Sequence, residues 1–445
     1  MTNTQHRTIA APSGFAPPSR RLLTIRSSLD AAEAVERCGD EGYSYYFVAE
    51  AFRPLLERWA NSQERANLGG GSSERLEIAR GAGRNTIQLS FLPLHHVRLL
   101  EGAVNVAFPF WEYPDIPSTN VAGEARNNWV RAAERLDLIL TACEFTRQAF
   151  RRANVTTPIE VVPVPAPTAY FSAPPWRPGE CVRLDCPVYL LPQARTLSRV
   201  GGLARKLAAR AGIAARDRLP IPYAAGDRLE LSGVVYSTIL NPFDERKNWR
   251  EIISGFVHGL HDKNDALLVV KLAAGRSLSR EALHNVLHFY QCLRMRHQCR
   301  VAITAAYLSD EQMTDLARGS TYYVNGSRAE GACLPLAAAL AAGRPAIAPA
   351  HSALAEYIDE SVAFVVPSRP RPTYWPIDPA RRPATVWHEI TRDDLAEQFR
   401  ISYEVARRDL PRYRSLAAQG RRRMQELAGE ESVWRRLAAA LATIQ

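Results

Sequence analysis

The second half of the chain alternates between two patterns with a regularity that few folds accept. Six short apolar runs, LSGVVYSTI, ALLVVKLAA, RVAITAA, STYYVNG, RPAIAPA and VAFVVPS, read as strands. Between them lie stretches with apolar residues at helical spacing: RKNWREIISGFVHGLH, LSREALHNVLHFYQCLR, SDEQMTDLAR, LPLAAALAAG and SALAEYI. Strands buried on both faces read as continuous apolar runs, and parallel neighbours need a crossover helix between them. Six such steps within about 140 residues predict a doubly wound parallel sheet over residues 231–390.

Residues 26–168 carry a looser version of the same alternation. SYYFVAEAFRPLLERW, from Ser44, has helical spacing. RNTIQLSFLPL and AVNVAFPFWEY read as strands, and Pro109, Pro114 and Pro117 keep the following loop out of helix. Residues 127–136 look helical, and LDLILTACE, TRQAFRRANV and IEVVPVPAP give strand, helix, strand. The fold class expected is therefore α/β with two Rossmann-like domains. Composition shifts over residues 169–230, where RTLSRVGGLARKLAARAGIAARDRLP is rich in Ala and Arg and nearly free of acids. That segment reads as a linker or insertion with a basic helix. Residues 1–25 are polar and proline-containing, a tail, and residues 391–445 form C-terminal helices.

Charge narrows the partners. There are 56 Lys and Arg against 46 Asp and Glu, a net +10, which favours an anionic partner: nucleic acid, a membrane surface or a phosphorylated small molecule. No helix-turn-helix, zinc-finger, RRM or KH pattern occurs and aromatics do not interleave with basic runs, so no nucleic acid is expected. Arg199, Arg205, Lys206, Arg210 and Arg216 can share one helix face beside Val200, Leu203 and Leu207. With RRR at 421–423 this suits an anionic membrane surface, or equally a solvated helix face. No apolar run of about 18 residues spans a membrane, and residues 1–25 lack the apolar core of a secretory signal. Seven cysteines without a CxxC pair suit a reduced, cytoplasmic protein, peripheral on the inner face of the membrane if the basic helix binds there.

Two stretches carry candidate chemistry. SRAEGACLPLAAALAAGRPAIAP, residues 327–349, places Glu330 and Gly331 in a loop at the carboxyl edge of the sheet, ahead of a helix starting near Pro335. Open α/β sheets bind ligands there, and helix N-terminal N–H groups favour phosphate. Glu330 can accept from vicinal sugar hydroxyls, while Gly331, Ala332, Cys333 and Leu334 form the approach and helix start. An ordinary strand–turn–helix with a capping Glu explains the same residues equally well. NPFDERKNWREIISGF, from Asn241, brings Arg246 and Lys247 to the first strand–helix turn. Two bases at the end of a helix where acids are favoured argue for a bound anion such as a diphosphate. Lys271, at the end of LLVVKL, is a third cation or a plain strand exit. No GxxxxGK[ST], HExxH, GxSxG or D-x-D motif occurs, and no metal site is expected.

The two stretches together, RKNW…I.GF and S..EG..LPL..A.A.G.PAIAP..SAL.EYI, resemble the carboxyl half of GT-B glycosyltransferases of the group 1 (family 4) type, in particular those building bacterial surface polysaccharides. The resemblance spans roughly residues 234–367. LDLILTACEFTRQAFRRANVTTPIEVVPVP is similar to the family's segment before the hinge, and WEYPDIP, from Trp111, to a loop facing the interdomain cleft. The resemblance implies two facing Rossmann-like domains, and leaves the basic insertion between them unexplained. It implies a donor nucleotide sugar on the second, a glycan or lipid-linked acceptor on the first, retention of configuration, and no metal or cofactor beyond the donor. By motif, Arg246 and Lys247 fall where bases hold the diphosphate. Glu330 falls on the first Glu of E-x7-E, which contacts the donor sugar. The second Glu position is Ala338, a departure at the residue that commonly holds the ribose. His95 and His96, after QLSFLPL, are set against the family's cleft histidine, and Glu112 beside Trp111 against an acceptor or donor-sugar contact. The leading expectation is a retaining glycosyltransferase in polysaccharide biosynthesis. The alternatives are a catalytically degenerate GT-B binding or scaffold protein, or another GT-B enzyme such as a sugar-nucleotide epimerase.

Overall fold

The computed structural model describes residues 22–27, 29, 31–40, 42–62, 86–191, 224–275 and 278–444. Its first unit opens with β1 (Leu22–Ser27), α1 (Ala31–Glu36) and α2 (Tyr43–Ser62). It continues through β2 (Thr86–Phe91), β3 (Val104–Ala107), α3 (Trp129–Ala133), β4 (Leu138–Thr141), α4 (Glu144–Arg152), β5 (Ile159–Val161) and α5 (Thr168–Phe171). The five strands pair in parallel in the order β1-β2-β3-β4-β5. On α2, buried Tyr45, Val48, Phe52, Leu55, Leu56 and Trp59 recur at three- and four-residue spacing. They lay one apolar stripe against Phe91 and Phe108. Alternate strand residues Ala107, Ile139 and Ile159 point the other way, into a cluster around Trp111, Trp129 and Phe150.

The second unit begins with β6 (Cys181–Leu184), β7 (Val188–Leu191), β8 (Ala224–Gly226) and β9 (Leu229–Ser232). Then follow β10 (Val234–Leu240), α6 (Trp249–Gly259), β11 (Ala266–Leu272), α7 (Ser279–Leu293), β12 (Arg300–Thr304), α8 (Asp310–Gly319), β13 (Tyr322–Val324), α9 (Leu334–Ala341), β14 (Ala346–Ala348) and β15 (Ala363–Val365). The sheet order is β15-β14-β13-β10-β11-β12-β7-β8. β10 to β15 are the six strands expected from the sequence, parallel throughout. All seven residues of β11 are buried, as a strand covered on both faces requires.

Residues 169–230 do more than link. β6 and β9 form an antiparallel ribbon, and β7, antiparallel to β12, and β8, antiparallel to β7, extend the second sheet. The basic helix expected over 195–218 lies outside the described residues. A hairpin absent from the sequence reading follows β15: β16 (Arg369–Thr373) and β17 (Thr385–Glu389). Its Trp375 Nε1 donates to the Asp115 carbonyl at 3.2 Å, and Trp375 and Trp387 pack on the Trp111–Trp129 cluster of the first unit.

Three helices end the described chain: α10 (Arg392–Arg408), α11 (Leu410–Ala428) and α12 (Glu430–Ala442). α10 lies on α6 and α11 on α9, whereas α12 crosses back to α2. There Val433, Leu437, Ala440 and Leu441 complete the first unit's apolar cluster. Much of the basic run at 421–423 is spent internally. Arg421 donates to the carbonyls of Ala173 at 2.7 Å and Ala342 at 3.0 Å, and Arg423 to Asp359 at 2.8 Å. No helix among the described residues is long and apolar enough to cross a membrane.

Candidate active site

The chain runs β10, β11, β12 in one direction across the sheet and then returns to lay β13 against the other side of β10. That reversal opens a crevice at the carboxyl ends of β10 and β13, where open α/β sheets take ligands. The two candidate stretches leave the sheet on either side of it.

From β10, Arg246 and Lys247 stand on a one-turn 3₁₀ helix, Glu245–Lys247, rather than on the first turn of α6. Asp244 caps this turn by accepting from Arg246 N at 3.0 Å, and Asn248, in left-handed conformation at φ 49°, redirects the chain into α6. From β13, Asn325 Oδ1 accepts from Ser327 N at 2.8 Å, and its amide donates to Cys333 Sγ at 3.0 Å. The turn so formed aims Glu330 back across the crevice, and Ser352 Oγ accepts from Glu330 N at 3.0 Å. Lys247 Nζ meets Glu330 Oε1 at 2.7 Å, with the carboxylate 5% exposed. Burial opposes both charges, yet the partners prevail. Despite burial, Lys247 and then Arg246 hold Glu330 down at about 2, and Glu330 raises Lys247. Arg246 is bound by Asp244 at 2.7 Å and Glu112 at 3.3 Å, which raise it against the effect of burial.

Glu112 belongs to the first unit, so this ion pair crosses between units. The loop bearing it packs on Gly331: a Cβ there would stand 3.0 Å from the Trp111 carbonyl oxygen. The same carbonyl accepts from Thr146 Oγ1 at 3.0 Å, and Cys143 Sγ donates to the Gly331 carbonyl at 3.3 Å. Trp111 thus offers its backbone to the crevice. Its ring is buried against Trp129, centroids 4.4 Å apart. Ala332 and Leu334 rest half-buried on the first unit's core, and Cys333, left-handed at φ 60°, precedes α9. Burial and Glu330 push the Cys333 thiol up to about 12.

The remaining candidates scatter. Asn241 donates to the Gly39 carbonyl of the first unit at 2.6 Å. Lys271 does not exit its strand but lies within β11, 6% exposed. His95 Nδ1 accepts from Trp129 Nε1 at 3.3 Å, and the exposed His96 ring lies tilted against His95, centroids 4.2 Å apart. The structure groups Arg246, Lys247, Glu330, Gly331, Cys333 and Glu112, with Asn241 and Lys271 along the adjoining seam. The histidines stand on the tryptophan wall. Ala338, the position of the second motif Glu, packs among apolar residues of α9's core. Glu356 is engaged elsewhere: its Oε1 accepts from Phe145 N at 2.8 Å, at the start of α4, a second tie between the units.

Four participants escaped the sequence reading: Asp244, Asn325, Ser352 and Tyr43. Asp244 had a usable signal, a capping acid just before two bases. The others are positioned by the fold alone. A fifth, His351, holds Ser352 Oγ at 3.1 Å and stacks on His388 of β17 at 4.2 Å, tying the hairpin to the Glu330 loop.

No family model matches the sequence, and comparison with curated proteins finds no match. Solved structures do resemble it. Anabaena HepE, in complex with UDP and glucose, superposes with a TM-score of 0.54 at 10% identity, over 95% of this chain and 100% of that one. Sucrose-phosphate synthase from Thermosynechococcus elongatus gives 0.56 at 14% identity, over 95% and 99%. The α,α-trehalose 6-phosphate synthase from Burkholderia multivorans gives 0.50 at 13%, over 95% and 98%. Two α/β units with parallel sheets, and a helix returning from the second to the first, give this chain the GT-B fold.

Proposed function

We propose that the protein is a glycosyltransferase that moves a sugar from a nucleotide-diphosphate sugar to a glycan or lipid-linked acceptor, with retention and without a metal. The observation that carries this reading is the Lys247–Glu330 pair facing across the crevice, with Arg246 beside it. Departure of a nucleoside diphosphate needs cations at the leaving oxygens, and the sugar carbon, as it gains positive character, needs a fixed negative charge nearby. Lys247 and Arg246 supply the first. Glu330, ionised at every physiological pH, supplies the second. With no donor bound, the two groups neutralise each other, so an arriving phosphate takes over Lys247 and frees Glu330 for the sugar hydroxyls.

In the step that follows, the bond from the anomeric carbon to the phosphate oxygen breaks and a bond to the acceptor oxygen forms on the same face. The acceptor's proton passes to the departing phosphate oxygen, so no side chain need act as base. Glu112, held by Arg246 and borne by the first unit, serves as an acceptor-side or donor-sugar contact. Bacterial surface-polysaccharide assembly and a peripheral place on the inner face of the membrane belong to this proposal through the family resemblance.

A second reading has one observation in its favour. Ala338 leaves no carboxylate at the ribose position, which suits a GT-B protein that binds without turnover. A thermal-shift panel of nucleoside diphosphates tests both, with UDP first because HepE binds it. Wild-type protein should be stabilised by at least one nucleotide, and Lys247→Ala should weaken that nucleotide roughly tenfold or more, as loss of a charge-assisted hydrogen bond implies. Equal shifts for Lys247→Ala and wild type would remove the diphosphate assignment. Binding without donor hydrolysis or transfer would favour the second reading.

A further inference from the structure

Among the described residues, Lys247 and Arg246 have their acids, and Lys271 has none. Lys247 is paired with Glu330 at 2.7 Å, and Arg246 with Asp244 at 2.7 Å and Glu112 at 3.3 Å. Lys271 is as deeply buried as Glu330, 6% against 4% exposed, and no described carboxylate pairs with it. Its titratable neighbour is the Cys38 thiol of the first unit, and burial lowers the lysine itself. Burial raises that thiol, so it stays protonated and brings no negative charge to the lysine.

The cover over Lys271 is built from both units. The turn after α1 packs on the residues that follow β11: a Cβ on Gly39 would stand 2.3 Å from the Ala273 carbonyl, and one on Gly275 would stand 2.1 Å from that of Glu36. Asn241 holds the same turn through the Gly39 carbonyl at 2.6 Å. Tyr43, half-buried at the start of α2, is near enough to feel the charges of Lys247, Asp244 and Glu330 as well as Cys38. Lys271 lies near the carboxyl end of β11, in register with Ile239 of β10 just before the turn that carries Asn241, Arg246 and Lys247, yet apart from the two cations aimed at a diphosphate.

We propose that Lys271 forms a second anion subsite, which takes a carboxylate or phosphate group borne by one of the two sugars rather than the donor's diphosphate. This rests on the transferase reading and narrows its substrates to an acidic or phosphorylated sugar. Burial without a described counter-ion lowers Lys271, so an arriving carboxylate or phosphate restores its proton and is held as an ion pair, which a neutral hydroxyl cannot do.

Calorimetric titration of the full chain decides the matter. One arm compares UDP-glucuronate with UDP-glucose, the other glucose 6-phosphate with glucose in the absence of nucleotide. Wild-type protein should bind the charged member of one pair at least tenfold more tightly, the first arm identifying a donor-borne anion and the second an acceptor-borne one. Lys271→Met should abolish that preference, keep UDP affinity within twofold, and melt no lower than wild type, since it removes a buried amine with no described partner. No preference in either arm, a preference that survives Lys271→Met, or a melting temperature lowered by more than a few degrees overturns the subsite. Failure of wild type to bind UDP counts against the transferase reading alone, because the hexose arm still judges Lys271.

Discussion

A histidine buried beside another histidine has little latitude to carry charge. Burial, with His388 stacked at 4.2 Å, lowers His351 to about 3 from an ordinary 6.5, against the opposing pull of Glu330. The folded state thus holds a neutral ring that the unfolded chain protonates more readily. A depressed folded pKa contributes stability that is complete above pH 6.5 and is lost as pH falls toward 3. His388, also lowered by burial, adds to the same slope. Melting temperature should therefore fall between pH 6.5 and 5, above the range where ordinary carboxylates titrate. His351→Asn, whose amide can still meet the Ser352 hydroxyl, should flatten that slope; an unchanged slope would assign the proton uptake to other groups. Because His351 supports the loop that carries Glu330, mild acid should loosen the crevice before it unfolds the rest.

Among the elements, the turn joining α1 to α2 is the one whose fit leaves least tolerance. Gly39 adopts φ +90°, and a side chain there would meet the Ala273 carbonyl at 2.3 Å. Gly39→Ala should lower unfolding free energy by roughly 1–3 kcal/mol, combining left-handed strain with overpacking, as urea denaturation would read. Stability equal to the parent's would mean the turn moves aside freely. None of this was legible in RCGDEGY, because close approach across units leaves no local pattern. The strands β10 to β15 were legible, each being an apolar run that only a doubly covered sheet accommodates. The β16–β17 hairpin was not: RPRPT has two prolines and four exposed residues, a poor strand by composition, held by pairing with TVWHE. The 3₁₀ turn at Glu245–Lys247 also read as helix, since the left-handed step at Asn248 has no periodic signature. Yet the cations on that turn and Glu330 beyond β13, 83 residues apart, were brought together as their positions at the carboxyl edge implied.

Across the whole molecule, the two units share more than a crevice. α12, the last described helix, buries Val433, Leu437 and Leu441 against α2 of the first unit, alongside Trp59. Leu437→Ala should cost about 2–5 kcal/mol, and the loss should appear in the first unit although the substitution lies in the last helix. Denaturation followed by hydrogen exchange resolves this: reduced protection of α2 is expected, and reduced protection confined to α10 and α11 would count against it. This return was legible only as a helical stretch at 391–445, because a sequence pattern gives the apolar face of a helix but not its destination.

The shared cluster also sets a timetable. A domain made first on the ribosome ordinarily folds first, but here the face of α2 waits for residues 433–441, some hundreds of positions later. At ~5–20 residues per second that interval is on the order of half a minute. During it, Phe52, Leu55 and Trp59 have their sheet partners but not their cover, so a nascent chain of this protein is a natural client for chaperones until synthesis passes α12.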